Sequence, residues 1–232
     1  MRSNTNMSKY KALLSLLLLV PAPSIGVLAG MVLWPDTVVG KGVFMLSKVW
    51  LFALPIVWYK FVDKAKLSTS PVRKGGLVFG LLSGVGISIA ITAAYLTMGG
   101  VFIKDGQLSS KMAEIGLGRP LVYLGGAVYW ICVNSVLEEY VWRWFVTMQC
   151  KRLVKPLAAV VVSAVCFTLH HAIALSTFMP GAGAAVCSAG IFIGGALWSW
   201  MYVRYGSVWP GYVSHAIVDI AVFGIGAWEV FG

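Results

Sequence analysis

Residues 121–148 read LVYLGGAVYWICVNSVLEEYVWRWFVTM, an apolar run that carries Glu138, Glu139 and Arg143 in its second half. A helix needs about 20 apolar residues to cross the hydrocarbon core of a bilayer, and this run exceeds that length. Each charged side chain inside such a helix costs about 2.5–3.5 kcal/mol on membrane-insertion scales. The run therefore predicts a membrane-spanning helix whose charged residues are kept for a function.

Composition extends this prediction to the whole chain. Of its 232 residues, 59% are hydrophobic and 11% are charged, whereas soluble domains carry about 25% charged residues. The mean hydropathy of +0.85 agrees. These values exclude a water-soluble enzyme, a disordered chain and a small disulfide-stapled protein. They predict an all-α, polytopic transmembrane helix bundle.

The number of apolar runs predicts about seven spans, with eight possible. The first run resembles a signal peptide, but its apolarity resumes after Pro21 and Pro23, which predicts a retained helix kinked at these prolines. The mixed stretch 101–117 predicts a surface or re-entrant segment. The seven runs are approximately Leu13–Trp34, Val43–Val62, Leu77–Met98, Leu121–Met148, Pro156–Phe178, Ala182–Val203 and Val208–Phe231.

Basic residues predict the orientation of the protein and explain its net charge of +10. Twelve Lys and Arg residues fall in segments that share the side of the N-terminus, and four fall on the opposite side. This bias predicts a cytoplasmic N-terminus in the cell membrane. Nucleic-acid binding is excluded, because no basic cluster is interleaved with exposed aromatic residues. The densest basic group is expected to face anionic lipid headgroups. Its members are Lys60, Lys64, Lys66, Arg73 and Lys74. The four basic residues on the opposite side are Lys41, Lys104, Lys111 and Arg119.

Glycines at intervals of four residues predict close helix packing. Gly76, Gly80 and Gly84 share one helix face, and Gly190 and Gly194 share another. Small residues at such intervals let membrane helices approach each other closely. We therefore assign these glycines to packing and to no chemistry.

Ionisable side chains inside the last apolar runs predict a functional site. Such residues are costly in a bilayer, so they face one another or a water-filled cavity. Three of the eight acidic residues and all three histidines belong to this group. Its members are Glu138, Glu139, Arg143, His170, His171, His215 and Asp219.

Helical spacing divides this group into three short polar stripes. Glu139 and Arg143 are four residues apart, which predicts an ion pair on one helix face. Glu138 points about 100° away and is left without that partner. The pairs Phe167 and His171, and His215 and Asp219, are also four residues apart.

The chemistry of this set is compatible with amide hydrolysis. A buried carboxylate can remove a proton from water, histidines can hold the water or bind the developing oxyanion, and an aspartate can orient its histidine. Two histidines and a glutamate also suit a zinc ion, although the HExxH spacing of many zinc proteases is absent. Two other hypotheses use the same residues: a membrane carrier for a cation or proton, and a non-catalytic scaffold or immunity protein.

The order EExxxR, FxxxH and HxxxD on separate apolar runs resembles the CPBP family of intramembrane proteases. This family includes the type II CAAX prenyl endopeptidases and is also called the ABI family. The matching residues are Glu138, Glu139, Arg143, Phe167, His171, His215 and Asp219, and the resemblance covers about Leu121–Phe231. It implies one membrane domain in which residues 1–118 supply three helices and a loop, and residues 119–232 form the catalytic core.

The resemblance also implies a role for each matching residue. Glu138 would activate water, with Glu139 and Arg143 supporting it. His171, His215 and Asp219 would complete the catalytic set. Phe167 would contact the substrate, which would be a peptide or a prenylated protein in the lipid bilayer.

Two positions qualify what the resemblance implies. Asp219 stands where the eukaryotic prenyl proteases usually have Asn, and an ionised Asp cannot donate a hydrogen bond to an oxyanion. It is therefore expected to orient His215. His170 matches no motif and is expected to pack or to bind water. The resting site is expected to hold no metal; if zinc is present, its ligands would be Glu138, His171 and His215.

Overall fold

The structure, a computed structural model, describes residues 2–65, 67–103, 106–179 and 181–232. These residues form helices and connecting turns, without a β-strand among them. Seven helices are long and apolar enough to cross a membrane, which confirms the predicted all-α polytopic bundle. In chain order, spans 1 to 7 are Met7–Leu33, Val38–Val62, Leu77–Gly100, Pro120–Leu153, Pro156–Phe178, Gly181–Tyr205 and Trp209–Phe231.

Span 1 is interrupted where the prolines predict it. Its first α-helix is Arg2–Leu19, and a second begins at Pro21 and ends at Val27. Pro21 has no N–H to donate and therefore suits the first position of the new helix. A π-helical segment, Leu28–Leu33, completes the span.

Span 2 begins with a capped helix and also ends in a wider turn. Its α-helix is Val38–Val57, and the Thr37 side chain accepts a hydrogen bond from the Gly40 N–H at 3.0 Å. Such a cap satisfies one of the free N–H groups at a helix start. A π-helical segment, Trp58–Val62, follows.

The segment between spans 3 and 4 contains only a short helix. The helix of span 3 ends at Phe102, and the short helix Gln107–Glu114 packs against spans 5 and 7. Eight residues are too few to cross a bilayer, so the described residues contain no eighth span. Lys104 of this segment and Lys66 of the basic cluster lie outside the described residues.

Contacts between span ends show which ends lie together in the bundle. Lys11 at the start of span 1 donates to the Val62 carbonyl at 3.4 Å, and Arg152 at the end of span 4 contacts Asp63 at 3.0 Å. At the other end of the bundle, Tyr95 of span 3 donates to Glu229 of span 7. The N-terminal end of span 1 and the C-terminal ends of spans 2 and 4 therefore lie on one side.

Span 3 packs closely along span 7, as its glycine spacing predicts. A Cβ on Gly80 would overlap the Pro210 backbone, and one on Gly84 would lie 2.9 Å from Ser214 Cα. Ser88 Oγ also donates to the Ile217 carbonyl at 3.1 Å. The absence of side chains at these glycines lets the two main chains touch.

The corresponding prediction for span 6 is wrong by one residue. Gly190 has open space where its Cβ would be, and the atoms nearest to a Cβ on Gly194 belong to Trp198 of its own helix. Gly195 makes the interhelical contact instead, because a Cβ there would lie 3.0 Å from Phe167. One residue rotates the contact face by about 100° around an α-helix.

Span 4 alternates between α-helical and π-helical segments. It comprises Pro120–Tyr129, Trp130–Asn134, Ser135–Glu138, Glu139–Thr147 and Met148–Leu153, of which the second and fourth are π-helical. Such segments use i→i+5 hydrogen bonds and occur often at functional sites. Glu138 ends an α-helical turn and Glu139 begins the wider one, so the polar motif lies at a change of helical geometry.

Candidate active site

Three spans bring the polar motif residues together in the bundle. Span 4 supplies Glu138, Glu139 and Arg143, span 5 supplies the histidine pair, and span 7 supplies His215 and Asp219. His215 of span 7 lies near both glutamates of span 4, and ligand atoms of His170 and His171 of span 5 lie within 4.8 Å of Glu138. The predicted site residues from the three spans therefore form one cluster.

Glu139 and Arg143 form the buried centre of the cluster. Glu139 Oε1 lies 3.4 Å from Arg143 Nε, and both side chains are 0% exposed. The same oxygen lies 3.1 Å from His215 Nδ1. One carboxylate thus contacts a guanidinium on its own helix and an imidazole on span 7, which links the two spans.

Aromatic rings enclose the Arg143 guanidinium. Its central carbon lies 4.5 Å from the Phe167 ring centroid and 5.0 Å from that of Trp198. None of its three nitrogens makes a hydrogen bond within the described residues. A cation over an aromatic face gains about 2 kcal/mol when desolvated. Ring contacts and Glu139 therefore take the place of water around this charge.

His215 is held between a ring and three carboxylates. Its imidazole stacks on Trp198, with centroids 4.0 Å apart and planes 17° apart. Nδ1 donates to Glu139, because an ionised carboxylate can only accept. Nε2 lies 3.9 Å from Glu138 Oε2 and 3.8 Å from Asp219 Oδ1. His215 thus presents Nε2 to the part of the cluster that contains Glu138.

A hydrogen bond also fixes the second carboxylate beside His215. Ser135 Oγ donates to Asp219 Oδ2 at 2.5 Å, which connects span 4 to span 7. The other Asp219 oxygen faces the His215 ring. This position agrees with an orienting role for Asp219.

Glu138 is the carboxylate of span 4 that is accessible. Its side chain is 13% exposed, whereas that of Glu139 is 0% exposed. Asn134 Nδ2 donates to Glu138 Oε1 at 2.8 Å, while Glu138 Oε2 is directed toward His215. Glu138 therefore combines a fixed orientation with room for a reactant.

His171 has a defined tautomer when neutral. Its Nδ1 lies 2.8 Å from the Phe167 carbonyl, and because a carbonyl can only accept, Nδ1 carries the hydrogen. The lone pair of the neutral ring is then on Nε2. A backbone carbonyl often orients a functional histidine in this way.

The structure adds His170 to the candidate metal ligands. Ligand atoms of Glu138, His170 and His171 all lie within 4.8 Å of one another. The sequence-based zinc set contained His215 in place of His170, whereas in the structure His170 and His171 each have a ring nitrogen within 4.8 Å of a Glu138 oxygen. His170 also stacks on Trp142, with centroids 5.4 Å apart, which agrees with a packing role.

Phe167 lies beneath the polar cluster. Its side chain is 3% exposed, and its ring centroid lies 4.5 Å from that of His171. The ring also contacts the Arg143 guanidinium. This burial favours a packing role over the substrate contact that the resemblance implies.

Comparison with known protein families finds a match to the part of the chain that contains spans 4 to 7. Residues 120–221 match the model of a family described as type II CAAX prenyl endopeptidase Rce1-like. This segment is similar to the Rce1-like family. No curated protein and no solved structure matches the chain. The Rce1-like match and the seven apolar helices support an integral membrane protein of the CAAX-type intramembrane protease class.

The Rce1-like segment and its surroundings contain polar residues that motif analysis missed. Asn134 lies four residues before Glu138, a spacing that could have suggested a helical contact. Ser135 and Asp219 are 84 positions apart, so their contact depends on how the spans pack. Nothing in the sequence around Trp198 indicated that its ring stacks on His215. Lys48 lies within span 2, and a lysine inside an apolar run could have indicated a functional residue.

Gly211 of the Rce1-like segment gives a test of how Glu139 is positioned. A Cβ at this glycine would overlap Glu139 Oε2. We expect Gly211→Ala to displace the carboxylate and to lower hydrolytic activity about 100-fold, since small misplacements at a site have such effects. Activity per folded protein and the thermal unfolding temperature are the two measurements.

Gly224→Ala is the matched control for this substitution. Gly224 lies on the same helix, and nothing is within 4 Å of its would-be Cβ. Alanine is favoured over glycine by about 1 kcal/mol in a helix, so the control should retain activity and stability. Equal activity of the two variants would contradict the proposed contact.

Proposed function

We propose that this protein is an intramembrane endopeptidase that hydrolyses a peptide bond with a water molecule activated by Glu138. The observation that supports this most directly is the position of the Glu138 carboxylate. It is partly exposed, it has one oxygen oriented by Asn134, and it lies near His171 and His215. A general base needs this combination of access, fixed orientation and nearby polar groups.

In the proposed reaction, Glu138 removes a proton from water while the water oxygen attacks the carbonyl carbon of the peptide. The carbonyl oxygen then carries a negative charge. Protonated Glu138 returns the proton to the leaving nitrogen as the C–N bond breaks and the oxyanion re-forms a carbonyl, which gives a carboxylic acid and an amine. Proton transfer between these two products then leaves a carboxylate and an ammonium group. The roles of Glu138 as base and then acid use one proton and leave the enzyme unchanged.

The histidines have complementary tasks in this reaction. The His171 Nε2 lone pair can accept a hydrogen bond from the attacking water, because Nδ1 donates to the Phe167 carbonyl. His215 in its protonated form has a second N–H at Nε2 that can donate to the oxyanion. Glu139 and Asp219 hold the His215 ring in this orientation.

A membrane-associated or prenylated peptide is the substrate class that we propose. An apolar groove with a cavity volume of about 310 Å³ lies between span 2, span 4 and the loop after span 2. Its lining includes Phe52, Ile56, Leu137 and Trp144, and Leu137 directly precedes Glu138. An acyl or isoprenoid chain in this groove would bring the attached peptide close to the catalytic carboxylate.

Orientation in the cell membrane is a second part of the proposal. The excess of Lys and Arg on the side of the N-terminus supports a cytoplasmic N-terminus. Lys11 and Arg152, which both contact the end of span 2, are two basic residues at one end of the bundle, as this orientation requires. Reporter fusions at loops on each side would test this arrangement.

Peptide hydrolysis by the purified protein tests the proposal. The protein is reconstituted in lipid nanodiscs and incubated with matched peptides that carry or lack a farnesyl group on cysteine. Mass spectrometry then identifies the bond cleaved. Cleavage by the wild type and none by Glu138→Gln would support the proposal. Proton flux across vesicles without peptide cleavage would support the carrier hypothesis instead.

Metal content is a separate prediction. We propose that the resting site holds water between Glu138 and the histidines, because a zinc ion would occupy the carboxylate that serves as base. Elemental analysis of active protein should show no stoichiometric zinc, and chelators should leave the rate unchanged. One tightly bound zinc ion per chain, with activity lost on chelation and restored by zinc, would overturn this prediction.

A further inference from the structure

Lys48 is a basic residue that reaches the cluster from outside the Rce1-like segment. It lies inside span 2, and its Nζ is 3.5 Å from Asn134 Oδ1. The ammonium also lies 5.7 Å from the Trp130 ring centroid and 5.8 Å from that of Phe44. A lysine at this depth is costly to keep in a bilayer, so its contacts with the site call for a functional explanation.

Hydrogen bonding to both Lys48 and Glu138 permits only one orientation of the Asn134 side-chain amide. An ammonium group only donates, so Lys48 requires the amide oxygen to face it. An ionised carboxylate only accepts, so Glu138 requires the amide N–H₂. The observed contacts meet both requirements, with Oδ1 toward Lys48 and Nδ2 toward Glu138.

Among the described residues, Glu138 has no Lys or Arg ion-pair partner on its own span. Arg143 contacts Glu139 at 3.4 Å, and Ser135 donates to Asp219. Glu138 shares His215 with both other carboxylates. Lys48 is the cation that reaches Glu138 through a single side chain.

We propose that Lys48 and Asn134 are positioning residues that hold Glu138 in the orientation needed for catalysis. Lys48 fixes the amide of Asn134, and this amide fixes Glu138 Oε1. Glu138 Oε2 is then directed toward His215 and the reactant. The catalytic part of this inference rests on the proposed protease function, whereas the electrostatic coupling of Lys48 to Glu138 does not.

Kinetics of three lysine variants test the positioning role. Lys48→Met removes the charge and keeps an apolar stem, and we expect kcat to fall about 10–100-fold with little change in KM, because the base is misplaced. Lys48→Arg retains a donor and should recover most of the rate. Lys41→Met is the control at the start of the same span, since Lys41 is 67% exposed and contacts Asp36. Equal kcat values for Lys48→Met and Lys41→Met would overturn the proposal.

Thermal unfolding tests the coupling without any substrate. The wild type, Lys48→Met, Glu138→Gln and the double variant form a cycle, and Lys48→Met should be more destabilising when Glu138 is charged than when it is glutamine. A difference of about 2–4 °C corresponds to a modest pairwise interaction. The same cycle with Lys41→Met should be additive.

The two experiments separate failure of this inference from failure of the proposed function. A wild type that cleaves no peptide but gives a non-additive Lys48 cycle would reject the protease and retain the coupling. An additive Lys48 cycle would overturn the inference even in an active protease. If Lys48→Met does not fold, Lys48→Gln replaces it in both experiments, because it also removes the charge and keeps a polar group at the end of the side chain.

Discussion

Glu138→Gln is expected to lower the rate of peptide hydrolysis by about 10²–10⁴-fold, the usual contribution of a general base. Glutamine has nearly the same shape, and its oxygen can still accept from Asn134, as Glu138 Oε1 does at 2.8 Å. It cannot take a proton from water. The variant should therefore remain folded in the membrane, and its unfolding temperature should stay close to that of the wild type.

The control for this prediction is Glu114→Gln. Glu114 lies on the short helix before span 4, is 59% exposed and contacts Lys111. Both variants lose one carboxylate, but only Glu138 belongs to the cluster. Full activity of Glu138→Gln, or equal losses in both variants, would show that Glu138 is not the base.

Arg143→Ala is expected to have the largest effect on stability. Removal of one partner from a buried ion pair typically costs about 3–5 kcal/mol, because the other charge remains buried. Here Glu139 would remain, and the Phe167 and Trp198 rings would lose the guanidinium between them. We expect a lower unfolding temperature in detergent and a loss of activity together.

A double variant separates the charge effect from simple loss of packing. Arg143→Met with Glu139→Gln removes both charges and keeps similar volumes, a change that is often nearly neutral for a buried pair. It should be more stable than Arg143→Ala, although inactive because His215 loses the Glu139 carboxylate that contacts its Nδ1. Normal stability of Arg143→Ala with altered activity alone would instead assign Arg143 a direct role in the reaction.

The seven spans could be predicted from sequence because bilayer insertion depends mainly on length and apolarity. The pairing of Glu139 with Arg143 could also be predicted, since both lie on one helix four residues apart. Likewise, the break at Pro21 follows from the missing N–H of proline. These features depend on local geometry, which the sequence determines directly.

Contacts between spans could not be predicted in the same way. Lys48 reaches Asn134 across 86 positions of the chain, and Ser135 reaches Asp219 across 84. Their meeting depends on how the helices are rotated and how deeply each span sits. The π-helical turns of span 4 change that rotation, and no local residue pattern predicted them.

His170 shows the same limit at a single position. An ideal helix places it about 100° from His171, which suggested a different environment for each ring. In the structure, ring nitrogens of both histidines lie within 4.8 Å of a Glu138 oxygen, and the two ring centroids are 4.0 Å apart. The two side chains are long enough to come together although their Cα–Cβ directions differ by about 100° in an ideal helix.

The close contact of span 3 with span 7 restricts how a substrate can enter. At Gly80 and Gly84 the main chains of spans 3 and 7 touch. We therefore expect span 7, which carries His215 and Asp219, to stay fixed against span 3. Spans 2 and 4 contact each other through Lys48 and Asn134, but they also leave an apolar groove whose lining includes Phe52 and Trp144. We expect the apolar part of a substrate to enter from the lipid through this groove without disturbing the contact between Lys48 and Asn134, while the packing of spans 3 and 7 keeps His215 in position.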